Sequence, residues 1–213
     1  MKKDIIMLTK SDKRAGYCIA GIDVSNGEWI RLVSSNEETE NAVPMKDIVC
    51  SNGDMVEIYD IVEVDIVKPM PTKVQPENYL YNENTKWVKK GKSSLDEVIT
   101  LHGYDCPEFV FGNTDKELTE ENVDMAKDSL LLLKVSNPRY NIKVFPERTV
   151  VQLDFFYRNC FYSYLKITQK DLKRYYETKP EGKYTAHTNV FVFSLTDKYK
   201  NGKYYKVVAQ ALV

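Results

Sequence analysis

Hydrophobic and polar positions along the chain repeat mostly with period two, the spacing that puts alternate side chains on opposite faces of a strand. Residues 4–8 and 17–23 are β-rich runs, and Glu28-Trp29-Ile30-Arg31-Leu32-Val33 alternates as a half-buried strand does. Ser25-Asn26-Gly27 separates the second run from the third, with Asn-Gly supplying the positive φ of a tight hairpin. Residues 55–68 read as one long bent strand. Pro69, Pro71 and Pro76 then impose an irregular extended stretch. Residues 86–92 read as a basic loop around Trp87, and 94–101 as a short helix with Leu95, Val98 and Ile99 on one face. A turn at 119–122 leads into a second set of strand signals at 130–135, 150–156, 160–167, 190–195 and 204–213. Tyr157-Arg158-Asn159 turns the hairpin between 150–156 and 160–167. Thr168-Gln169-Lys170-Asp171 carries a helix-start pattern leading into 172–177. No segment is periodic over a length that would make a major helix.

Each half of the chain thus offers about five strands with one short helix or loop interposed. The fold class this predicts is all-β: two tandem small barrels of the oligonucleotide/oligosaccharide-binding (OB) type with short interposed helices. An SH3-like barrel or an open meander fits the pattern nearly as well. The expected division is a first barrel with a proline-rich extension over 1–125 and a second barrel over 126–213. Only the order of elements repeats between the halves.

Charge changes the picture. The 213 residues carry a formal net charge of −1, but residues 1–128 sum to −10 and residues 129–213 to +9. Of 15 Tyr and 8 Phe, 10 and 6 lie after residue 128. Cations mixed with aromatic rings are what a single-strand groove uses, although aromatics also favour strands and fill β cores. The amino-terminal apolar run is too short for a signal-peptide core or a membrane span. Cys18, Cys50, Cys106 and Cys160 are scattered and only His102 and His187 accompany them, which argues for reduced thiols in a cytoplasmic protein without a zinc site. No phosphate-loop or dinucleotide glycine motif occurs.

Several motifs coincide in order: Ser11-x-Lys13, the Gly16–Gly21 run, Gly27-Glu28-Trp29-Ile30-Arg31, Asp60-Ile61-Val62, Gln75-Pro76-Glu77-Asn78-Tyr79, Asp154 to Tyr157 and the closing Gly202-Lys203-Tyr204-Tyr205 block. Together they resemble the bacterial dual OB-containing domain family over nearly the whole chain. Leu32 departs from the family pattern, which has proline after the arginine. The resemblance implies two tandem OB barrels that bind nucleic acid or nucleotide, a link to bacterial defence or conflict systems, and no defined enzymatic activity or cofactor.

The candidate site residues follow. Ser11, Lys13 and Arg14 are expected in the loop after the first strand, which borders the ligand face of an OB barrel, with Arg31 at a strand end. Lys13 and Arg31 would clamp a phosphate, unless they pair with local acids such as Glu28 or Asp60. Trp29 is either a stacking platform or a core indole. Gln75 and Asn78 either read a base edge or cap a barrel end. In the second half, strict alternation through the turn puts Phe156, Arg158 and Cys160 on one face, continued by Tyr162 and Tyr164, with Phe155, Tyr157, Asn159 and Phe161 on the other. Tyr157, Arg158, Tyr162, Tyr164 and Lys166 are the binding candidates there, with Lys170, Lys173 and Arg174 nearby. Ser11-x-Lys13 as a catalytic dyad would need an oxyanion hole and a buried lysine, which a flexible charged loop does not supply.

The reading that results is a non-catalytic protein that binds nucleic acid, single strands favoured, by charge steering and base stacking, with no cofactor or metal and no membrane partner. The alternatives are a sensor holding a small nucleotide between the barrels, and a scaffold whose acidic half docks a protein partner.

Overall fold

The computed structural model describes all residues from Met1 to Val213 and divides them into two compact units, Met1–Gly103 and Tyr104–Val213. Strand accounts for 48% of the chain and helix for 11%, as the all-β reading requires.

In the first unit β1 (Lys2–Lys13), β2 (Gly16–Asp23), β3 (Trp29–Val33), β4 (Asp60–Pro69) and β5 (Asn78–Tyr81) pair in the circuit β1-β2-β3-β5-β4-β1, a closed five-strand barrel. β3 and β5 run parallel; every other pairing is antiparallel. β1 closes the ring because Lys2–Ile6 pair with β4 and Ile5–Lys13 with β2, with a bulge between Met7 and Thr9. Five consecutive residues from Ile5 to Thr9 are buried where alternation would expose every second one, with Ile5 and Met7 in the barrel core. Gly21 is fixed by the same contact: a Cβ there would sit 2.1 Å from the Ile6 carbonyl oxygen. The Asn26-Gly27 turn forms as expected, with Gly27 at φ +76.

Two expectations change here. The basic stretch around Trp87 is not a loop: β6 (Val88–Lys92) adds to β4, and Trp87 is buried edge-on against Tyr81 in the barrel core. The long strand expected over 55–68 begins only at Asp60. The short helix α1 (Leu95–Leu101) forms with a full capping box, Ser94 and Glu97 bonding reciprocally to each other's backbone amides.

The second unit repeats the circuit. Its strands are β7 (Glu117–Leu118), β8 (Leu130–Lys134), β9 (Ser136–Phe145), β10 (Arg148–Tyr157), β11 (Cys160–Ile167), β12 (Gly182–Thr185), β13 (Val190–Leu195) and β14 (Tyr204–Leu212), with helix α2 (Lys170–Glu177) after β11. β8 and β9 are one run interrupted only at Val135. β8 pairs with β13 and β9 with β10, β11 lies parallel to β14, and β14 returns to β13. The path therefore comes back to the run it left, as in the first barrel. β12 adds to β9 and β7 to β14.

The division falls at Gly103/Tyr104, not at 125/126, because residues 104–125 are built into the second barrel. The Leu132 N–H donates to the Asp105 carboxylate at 2.6 Å and the Asp105 N–H to the Leu132 carbonyl at 2.9 Å, Val110 and Leu118 are buried, and the Val110 N–H donates to the Tyr162 hydroxyl. The charge split shrinks accordingly: the first unit has 13 Lys+Arg against 17 Asp+Glu and the second 17 against 14, so −4 and +3.

Lys206 on β14 seals this segment to the barrel. It is 1% exposed, and its ammonium donates to the Asn113 carbonyl and side-chain oxygens at 2.7 and 2.6 Å, over the Tyr162 ring. With two neutral oxygens as its close acceptors, burial pushes its pKa down to about 7, Asp115 opposing only weakly. Between about pH 7 and the ordinary lysine value of 10.5 the unfolded chain holds a proton that the folded one has shed. Stability therefore rises with pH across that window. Urea unfolding at pH 7 and pH 9.5 is expected to show the rise in the native protein and to lose most of it in Lys206→Met; equal slopes would show that Lys206 does not titrate there.

Candidate nucleic-acid interface

The first barrel consumes most of its candidate residues internally. β1 runs through to Lys13 and the turn is only Arg14-Ala15, so Ser11 sits in a strand and is buried, not in a flexible loop. Arg14 adopts φ +49 in that turn and pairs with Glu40. The Arg14 hydrogen bond, helped by the charge of Arg14 and of Lys13, holds the Glu40 carboxyl below its usual range. Arg31 is the main correction. It is 3% exposed, and its Nε and Nη2 donate to Glu77 Oε1 at 3.0 and 2.8 Å, with Cys18 Sγ 3.4 Å from Nη1. It cannot meet a phosphate in solvent.

Gln75 and Asn78 are buried and bond to each other at 3.2 Å, so they are internal to the β4–β5 connection. Residues 34–43 lie along β2, where Val43 exchanges backbone hydrogen bonds with Tyr17 and a Cβ on Gly16 would meet the Val43 carbonyl at 2.5 Å. With Thr9, Ser11, Ser34 and Arg31 all buried, the outer side of β2–β3 is covered by the barrel's own loops. Trp29 is half-buried, edge-on to His102 at 5.3 Å, and the His102 ring nitrogen Nδ1 lies 2.7 Å from the Gly27 carbonyl oxygen. The indole thereby ties α1 to the β2–β3 hairpin.

The second barrel differs. Its hairpin turn is the two-residue Arg158-Asn159, so residues pair symmetrically about it: Tyr157 with Cys160, Phe156 with Phe161, Phe155 with Tyr162. Counting alternation straight through the turn assigned these faces wrongly. Tyr162 is fully buried, stacked on Phe155 at 5.2 Å inside the barrel. Tyr157 is buried and donates to the Pro107 carbonyl; Arg158, at φ +52, donates to the Cys106 carbonyl. Both anchor the 104–110 segment. Phe156 and Phe161, by contrast, are 41% and 51% exposed and touch each other at 5.0 Å on the outer face. The symmetry of a two-residue turn is the sequence signal that would have found them.

A bulge then sets the rest of the face. Between the Phe155–Tyr162 and Leu153–Leu165 pairs, β11 carries two residues, Ser163 and Tyr164, against one on β10, Asp154. Tyr164 sits at φ +62 and its N–H donates to the buried Asp154 carboxylate at 2.9 Å, which Lys183 also reaches at 3.3 Å. The extra residue flips the alternation. Phe161, Tyr164 and Lys166 therefore share the outer face with Phe156, Gln152 and Arg148 of β10 and with Lys143 and Phe145 of β9. Tyr164 is 44% exposed with the Lys143 ammonium 5.0 Å over its ring, and the Arg148 guanidinium lies 6.0 Å from Phe145. Lys143, Arg148 and Lys166 form no ion pair, whereas Lys2, Lys3, Lys10, Arg14, Arg31, Lys89 and Lys90 of the first unit all do. Of the twelve candidates, Tyr164 and Lys166 come together on this face. Lys143, Phe145 and Arg148 went unread because Ser136–Phe145 gives no strand signal and its turn, Pro146-Glu147, no glycine signal.

Lys173 of α2 lines a cleft with Arg148 and Lys166 and is held at 3.5 Å by Glu177. No cluster of three or more His, Cys, Asp or Glu side chains suited to a metal occurs, and no helix is long and apolar enough to cross a membrane.

Removing one member of a buried ion pair leaves its partner's charge unpaired, at a cost of about 3–5 kcal/mol. Arg31→Ala is expected to lose stability on that scale in urea unfolding, and Lys166→Ala to stay within about 0.5 kcal/mol of the native protein. A stable Arg31→Ala would return that residue to the candidate binding set.

No curated protein and no solved structure matches the chain. The model of one family does, the dual OB-containing domain, over residues 3–211. That span takes in both strand circuits, and the chain belongs to the dual OB-containing domain family.

Proposed function

We propose that the second barrel binds single-stranded nucleic acid along the outer face of β9, β10 and β11, as a binding module without a catalytic step. The observation that carries this is the convergence on one exposed face of three stacking surfaces, Phe156, Phe161 and Tyr164, with three cations, Lys143, Arg148 and Lys166, that no carboxylate neutralises. Rings in that number are of no use against a duplex, whose bases are already stacked, while a single strand offers both bases and phosphates. The same strands form the ligand face of OB folds generally, and the family assignment supports a binding role for the fold. The net charge of the unit is only +3, so weak sequence preference and salt-sensitive binding follow from a few local phosphate contacts rather than from a global field.

Fluorescence anisotropy with a labelled oligothymidylate tests it. Each of Phe156→Ala and Phe161→Ala is expected to weaken binding by about 1–3 kcal/mol without lowering the melting temperature, since both rings are solvent-facing. Lys166→Ala is expected to reduce the slope of log K against log salt by about 0.7. Tight binding of a mononucleotide with none of the oligonucleotide would replace this reading with the nucleotide sensor. No binding of either would leave the scaffold.

A further inference from the structure

The binding face has two unlike ends. At the hairpin end it opens past the Phe156–Phe161 pair. At the other end lie the first residues of β10, Arg148 to Val151, and the last of β11, Lys166 and Ile167. There α2, which starts three residues after β11 ends, packs its buried Tyr176 on the core residue Tyr140 of β9 at 4.4 Å. Lys173 and Glu177 of the helix form the wall of a cleft of about 250 Å³ whose remaining lining is Arg148, Thr149, Val150, Val151, Lys166 and Ile167. From Phe156 to Arg148 the face spans about 26 Å, taking roughly 3.3 Å per strand residue. A strand laid along it from the phenylalanines meets the helix.

We propose that this cleft receives the terminal phosphate of the bound strand, so that the protein recognises phosphorylated single-strand ends. The proposal rests on the single-strand reading above and adds to it a preference for an end over an internal segment. Three cationic side chains converge on the cleft, Arg148 and Lys166 without a carboxylate partner and Lys173 with one, Glu177, at 3.5 Å. A phosphomonoester presents three terminal oxygens and close to two charges at neutral pH; an internal diester presents two such oxygens and one charge. The monoester therefore matches three donors where the diester leaves one unused. It also competes better with Glu177 for Lys173, because the carboxylate carries a single charge on two oxygens. The apolar floor of Val151 and Ile167 lowers the water content beside those charges, which strengthens each contact.

Titration calorimetry on the full chain decides it, using unlabelled oligothymidylates of about 10 nucleotides, a length within the range of one OB fold. The arms are a 5′-phosphate, a 3′-phosphate, hydroxyls at both ends, a circular form, and thymidine monophosphate. One of the two phosphorylated ends is expected to bind about tenfold tighter than the hydroxyl-ended strand, the scale of one added charge-assisted hydrogen bond. The circular form is expected to be no tighter than the hydroxyl-ended one. Lys173→Ala, a change on the exposed side of α2, is expected to close the gap between phosphorylated and hydroxyl ends. Equal affinity for all the strands would overturn end recognition and leave single-strand binding standing. Binding of the monophosphate as tightly as of the phosphorylated strand would overturn it too, by showing that the cleft needs no strand. Binding by none of the strands would overturn the single-strand reading itself.

Discussion

Every strand of a closed five-strand barrel has two neighbours, and in each unit the first long run of the circuit meets its two along different parts of its length. In the first barrel β1 pairs with β4 over Lys2–Ile6 and with β2 over Ile5–Lys13; in the second the break at Val135 separates the part that pairs with β13 from the part that pairs with β10. The consequences spread outward. In both barrels this run is buried without alternation, Ile5 to Thr9 in the first and Leu130 to Leu133 in the second, and it reads as a nearly continuous apolar stretch. Ring closure also removes free strand edges within the circuit, so an extended ligand must be met by side chains on an outer face rather than by backbone pairing.

What each barrel does with that outer face separates them. The first lays residues 34–43 and the β4–β5 connection over β2 and β3, and the polar groups beneath settle into internal bonds, Arg31 with Glu77 foremost. A buried ion pair of that kind fixes geometry more than it adds stability. In the second barrel the corresponding connections are residues 168–189, which carry α2 and β12, and residues 196–203 between β13 and β14. Its face stays bare, and Asp154 spends its buried carboxylate on the bulge that turns Tyr164 outward. The difference lies in what the connections cover, since 70–77 and 196–203 have the same length in the two barrels.

Much of the fold was legible because period-two alternation and turn chemistry are local: Asn26-Gly27, the 157–160 hairpin, the Ser94 cap and the β13–β14 pair each follow from a few neighbouring residues. What escaped depends on long-range closure. Ser136–Phe145, with Asn137, Pro138 and Asn141 along it, lacks strand propensity and is held by β10 and β12 on either side. Trp87 carries basic neighbours yet fills the barrel core. Of the candidate residues on β11, Tyr164 and Lys166 lie on the outer face and Tyr162 in the core, and the difference is one extra residue in β11. Alternation cannot be carried across a bulge that only a buried carboxylate makes visible.

Charge was legible in amount and misleading in place. Residues 104–128 hold 8 Asp+Glu and 2 Lys+Arg, and by sequence they join the acidic half. By structure they pack on the basic barrel, where Glu117 takes Lys203 and Glu120 takes Lys198. Those contacts neutralise Lys198 and Lys203 of the β13–β14 connection and leave Lys143, Arg148 and Lys166 on the β9–β11 face untouched. The acidic segment therefore does not cancel the basic surface evenly; it confines it. On the β9–β11 face, charge stays beside exposed rings because the neighbouring carboxylates are already taken up by other lysines.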